Sequence, residues 1–255
     1  MIVVLCAACL IAGALSAVLP VRSGQDQYPA RYDQYLWWSK ENTTQEFVAA
    51  TDNAWAKVDL KFPVKVFNKS SNTIWVSMNG IVSLDEPNLD APSVPNRPLP
   101  IDPESFSRGG ATGGFIPGTA IMPFWRDMSM KAATNDTGVW VQYTYHPGYE
   151  VPHYHIYWRG CDKAEEDWAA GREQCGKATR FFILTLGSDK PGVVQLLYGL
   201  GGGDKNIEAT VGVQSYPDYI SVPISKFYGE TMPCAEMIID TNNGNVTVNP
   251  FSFCI

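Results

Sequence analysis

Between Ala56 and Phe67 the chain alternates with a period of two. In "VDLKFPVKV", Val58, Leu60, Phe62, Val64 and Val66 stand between Lys57, Asp59, Lys61, Pro63 and Lys65. That is the spacing of a strand with one face buried, and Pro63 restricts it to a sheet edge or a bulge. "TIWVSMNGIVSL" follows, two β-rich runs separated by Asn79-Gly80, a hairpin signal whose type I′ turn needs positive φ at both central residues. The same texture returns in "GVWVQYTYH", "VPHYHIYW", "TRFFILTLG", "VVQLLYG", "IEATVGVQ" and "NVTVNPF", with "HPGY" and "SDKPG" as turn chemistry. Only "KAEEDWAAGREQ", between Cys161 and Cys175, has a helical texture. Short, evenly spaced strands with almost no helix predict an all-β fold. We expect an antiparallel β-sandwich with one short helical insertion closed by a disulfide.

The ends and the composition bound the rest. "MIVVLCAACLIAGALSA" is uncharged, apolar at its start and ends in small residues, which predicts a secretory signal peptide over residues 1–16. Residues 17–55 are polar and irregular and are expected to form an N-terminal arm; residues 56–255 form a single domain. No later stretch approaches the roughly 20 apolar residues of a membrane helix. The net charge of −7 comes without a block of like charge, so neither nucleic acid nor an anionic membrane is an expected partner. Without the leader, four cysteines remain. Their proximity in sequence favours Cys161 with Cys175 and Cys234 with Cys254. Asn-x-Ser/Thr acceptors at Asn42, Asn68, Asn135 and Asn245 fit a glycosylating secretory route.

The order of landmarks carries a resemblance. A strand ending in "FPVKVF", "VSMNGIVSL", "PFWRDM", a strand into Trp158, "FFILTLGSDKPGVVQLLYG" and "ATVGVQ" together resemble the NIDO domain of nidogen- and tectorin-type extracellular proteins. The likeness covers residues 58–215 and implies a secreted β-sandwich of the matrix and adhesion class, with no catalytic residues to carry over. The long Pro-rich loop over 85–118 and the cysteine-bounded insertion depart from it.

Candidate chemistry is sparse. "PFWRDM" reads as a structural knot, with Phe124 and Trp125 buried on opposite faces and Asp127 accepting hydrogen bonds that hold a neighbouring loop. Its functional alternative makes Asp127 a calcium or ligand oxygen, joined by Asp85 or Asp90. In "HYHIYW", His153 and His155 share one strand face, as metal ligands on a strand must, with His146 or a distant carboxylate as third ligand; solvent-facing histidines are the plainer reading. Tyr154, Ile156 and Trp158 then face the core. "YGLGGGD" lacks the following helix of a phosphate loop and reads as a connection. No Gly-x-Ser-x-Gly elbow is present, and no cofactor is implied. Trp168, in the charged insertion, either tucks back onto the sandwich, the plainer reading, or is displayed as a binding anchor. The expected function is a secreted, non-enzymatic binding or adhesion module for an extracellular protein or glycan. A polysaccharide hydrolase or a lectin-like protein is the alternative.

Overall fold

The structure is a computed structural model, and it describes residues 45–47, 54–89, 97–104, 115–129, 138–144, 151–162, 180–198, 209–222 and 235–250. Fourteen strands lie in these segments: β1 Gln45–Phe47, β2 Trp55–Val66, β3 Lys69–Ser77, β4 Val82–Ser83, β5 Thr119–Trp125, β6 Met128–Ser129 and β7 Gly138–Thr144. Then come β8 His153–Asp162, β9 Arg180–Gly187, β10 Val193–Tyr198, β11 Thr210–Ser215, β12 Asp218–Val222, β13 Ala235–Asp240 and β14 Asn245–Pro250. One sheet runs β1-β7-β8-β9-β10-β13-β14, with β6 added beside β8; the other runs β12-β11-β5-β4-β3-β2. The pairings within both sheets are antiparallel. The chain is thus all-β, as its alternation predicts.

The two sheets share a core, in the manner of a sandwich. Along β8 the inward residues are Tyr154, Ile156 and Trp158, opposite Leu186, Leu184 and Phe182 of β9. They pack with Val58, Val64, Ile74, Val76 and Ile121 from the other sheet. Period-2 placement gives each strand one such face. Each fully buried aliphatic or aromatic side chain contributes roughly 1.5–3 kcal/mol, so this shared layer dominates what holds the sheets together. Trp158 and Phe182 stack with centroids 4.9 Å apart at its centre.

β2 is an edge strand, and its register shifts between Asp59 and Val64, the interval that contains Pro63. Both outcomes allowed by that proline therefore occur. The Asn79-Gly80 connection does join β3 to β4, but not through a type I′ turn. Only Gly80 has a positive φ there, at 71°, and the loop closes from the Ser77 N–H to the Ile81 carbonyl at 2.8 Å. The reason is tertiary. Asn79 is buried, and its Oδ1 accepts from the Met128 N–H at 3.1 Å while its carbonyl accepts from the Arg126 N–H at 3.1 Å.

A further expectation needs correction. The 85–118 stretch is not simply a surface loop: Leu99, Ile101 and Ile116 are buried with Ala120, Met122 and Trp125 in a second apolar cluster. β5 is consequently buried along its whole length, which explains its unbroken apolar run. Within residues 17–55, Gln45–Phe47 form β1, which pairs with β7, and β2 starts at Trp55. The insertion expected to be helical, with Trp168 and Cys175, lies outside the described residues, as do Cys234 and Cys254. Cys161 stands on β8, opposite Ser129.

Candidate functional site

A cleft of about 620 Å³ opens where the start of β3, the end of β4, the 102–104 segment and the β11–β12 turn converge. Lys69, Asp85, Asp102, Glu104, Thr119 and Tyr216 line it. The volume lies within the range of small-ligand pockets.

Local chemistry places each side chain. The Ser83 hydroxyl accepts from the Asp85 N–H at 2.9 Å and donates to the Asp85 carbonyl at 2.6 Å, turning the chain just after β4. That turn aims the Asp85 carboxylate at two donors: the Thr119 N–H, 2.6 Å from Oδ2, and the Lys69 ammonium, which pairs with Oδ1. A Cβ at Gly118 would lie 3.3 Å from Asp85 Oδ2, so glycine lets the wall close up beside the carboxylate. Asp102 caps a helical turn, its Oδ1 accepting from the Glu104 N–H at 2.9 Å, with Pro103 at the first helical position. On the far wall the Tyr216 N–H donates to the Gly118 carbonyl at 2.8 Å, and the Tyr216 ring is 45% exposed.

A buried amide fixes the 97–104 segment on the sheet. Gln214 of β11 is fully buried; its Oε1 accepts from the Ile101 N–H at 3.1 Å and its Nε2 donates to the Pro117 carbonyl at 2.8 Å. Asp102 and Glu104 hang from that anchor. The cleft thus presents carboxylate acceptors, an ammonium donor and an aromatic face in one concave surface. This is equipment for a hydroxyl-bearing ligand.

The residues singled out in the sequence are distributed differently. Asp85 belongs to the cleft and is engaged by Lys69, while Asp127 lies half-buried in the turn between β5 and β6. Among the described residues no group of three or more His, Cys, Asp or Glu gathers as a metal site would require. Phe124 and Trp125 are buried in separate clusters, as their opposite faces predict. Asn79 ties this knot to the β3–β4 loop, its Oδ1 accepting from the Met128 N–H and its carbonyl from the Arg126 N–H.

His153 and His155 share a face with ring planes 12° apart and centroids 6.1 Å apart. They are half-buried rather than fully solvent-facing. His155 Nδ1 lies 3.0 Å from Thr185 Oγ1. Burial, and the imidazole of His153 beside it, lower the His155 pKa to about 4. The ring is therefore neutral at physiological pH. Asn68 and Asn245 are exposed. His146, Asp90, Asn42 and Asn135 lie outside the described residues.

Lys69, Asp102, Glu104 and Tyr216 were not singled out from the sequence. Asp102-Pro103-Glu104 carries a legible helix-start signature, a capping acid followed by proline. Nothing local marks Lys69 or Tyr216, which meet only through strand pairing. Compared with family models, with curated proteins and with solved structures, the chain matches none.

Proposed function

We propose that this is a secreted, non-enzymatic binding module that takes a hydroxyl-rich extracellular ligand, of the saccharide class, in the Lys69–Tyr216 cleft. The carrying observation is the convergence of Asp102, Glu104 and the Lys69–Asp85 pair with a half-exposed tyrosine ring around one concavity of about 620 Å³. Carboxylates accept from sugar hydroxyls, an ammonium donates to them, and an aromatic ring covers an apolar sugar face. The apolar leader, the acceptor sequons and the NIDO-type order of landmarks support the extracellular setting and the binding role.

The test is an array of extracellular glycans and matrix proteins probed with the secreted protein, followed by calorimetric titration of each binder. Tyr216→Ala should weaken saccharide binding about tenfold, equivalent to about 1.4 kcal/mol, and leave the melting temperature unchanged. Binding that ignores Tyr216 would remove the cleft from the reading. Two acids, Asp102 and Glu104, in one cleft favour a polysaccharide hydrolase as the second reading. Release of new reducing ends from a polysaccharide, abolished by Glu104→Gln, would select it.

A further inference from the structure

Four strands end the two sheets among the described residues: β1 and β14 in one, β2 and β12 in the other. A terminal strand presents unpaired N–H and C=O groups, a template for another chain unless charge, proline or cover blocks it. β2 carries Lys57, Lys61, Lys65 and Pro63; β1 carries Glu46; β12 carries Asp218. β14, "NVTVNP", has no charged residue, and its proline comes only at the last position. It alternates β-branched residues with polar ones, and Val248 is 45% exposed. By the rules that protect edges, β14 is the weakly guarded one.

It is also the edge that begins with an acceptor sequon. Asn245 opens the strand, and Asn245 and Thr247, the two residues the sequon needs, are both exposed. The Asn245 N–H donates to Asn243 Oδ1 at 2.9 Å, closing the turn that leads into the strand. The turn that leads into this edge lies beside the end of β2 in the opposite sheet. Lys65 Nζ donates to Asn242 Oδ1 at 2.8 Å and the Phe67 N–H to Thr241 Oγ1 at 2.9 Å, so the β2–β3 hairpin and the β13–β14 turn form one seam. Asn68, the other described sequon, is exposed in that hairpin turn.

We infer that Asn245 is an N-glycosylation site whose glycan guards the β14 edge against edge-to-edge pairing, in place of the lysines and proline that guard β2. Bulk and hydration at Asn245 keep a second strand from aligning along Val246–Val248, the work that charge performs elsewhere in the fold. Asn68 is a second acceptor at the same seam, but its neighbouring edge is already guarded. The two sites therefore differ in consequence. The inference rests on the extracellular reading above.

The test expresses the full chain in a glycosylating eukaryotic host. Peptide mapping before and after enzymatic deglycosylation should show a glycan on Asn245. Light scattering of Asn245→Gln, and of Thr247→Ala, which keeps the asparagine but destroys the acceptor, should show a shift from monomer to concentration-dependent oligomers. Asn68→Gln should leave the monomer unchanged. Adding Val248→Lys to Asn245→Gln should restore the monomer, since charge then replaces the glycan. Secreted protein with bare Asn245 overturns this inference alone, as do variants that stay monomeric without the glycan. Retention in the cytosol overturns both it and the extracellular reading.

Discussion

The indole Nε1–H of Trp158 donates to the backbone carbonyl of Ser77 at 2.8 Å, a buried hydrogen bond that joins β8 of one sheet to β3 of the other. Its Cα partner across the β8–β9 ladder is Phe182, the ring it stacks on. One side chain thus contributes to both the apolar and the polar registration of the two sheets. Trp158→Phe keeps an aromatic body and deletes the donor, leaving a buried carbonyl without it. We expect a loss of about 1–3 kcal/mol in urea unfolding, with the m-value unchanged. An unaltered midpoint would mean that the sheets are registered by packing alone.

Gly80 has φ of 71°, and a Cβ built on it would fall 2.1 Å from the Phe124 carbonyl oxygen. Gly80→Ala combines a strained backbone with a clash against a buried strand that cannot retreat. The expected cost is about 3 kcal/mol or more, read as a lower melting temperature. Tolerance of alanine would show that the loop can re-form away from β5.

The depressed pKa of His155 makes stability depend on acid. An unfolded histidine titrates near 6.5, and the folded one near 4. Between those values the unfolded chain binds more protons, so stability is full above about pH 6.5 and falls as pH drops toward 4. His155→Gln, which keeps a polar partner for Thr185, should flatten that slope in denaturant titrations at pH 4.5 and 7.5. A variant with the parent's slope would assign the acid sensitivity to other groups.

Gln214 links fold to candidate function. Gln214→Leu removes the partners of the Ile101 N–H and the Pro117 carbonyl, and each buried polar group left unmatched costs about 1–3 kcal/mol. The 97–104 segment should then loosen, and with it Asp102 and Glu104. Amide exchange at Ile101 should rise, and ligand affinity at the cleft should fall even though residue 214 is not among the cleft-lining residues. Protected exchange with lost affinity would point to a direct role for Gln214 instead.

Local chemistry made part of this protein legible in the sequence. The alternation at Val58–Val66 identified a half-buried strand, because the pleat forces side chains to opposite faces whatever lies beyond them. Pro63 marked the edge for an equally local reason, the missing N–H. Tyr154, Ile156 and Trp158 were assigned to the core from spacing alone. What the sequence could not supply was which strand lies beside which. β13 and β12 went unread in "AEMIID" and "DYISV", where the run is too short to separate a strand from a loop by periodicity, although Asn243-Gly244 marks the turn after β13. The turn at Asn79 departed from its type I′ expectation because Arg126 and Met128 recruit its carbonyl and side chain from 47 and 49 residues away in sequence. The cleft was hidden for the same reason. Lys69 and Tyr216 share a cavity only because β3, β4, β5 and β11 are consecutive neighbours in one sheet, a long-range arrangement decided by burial of the whole core rather than by either residue's surroundings.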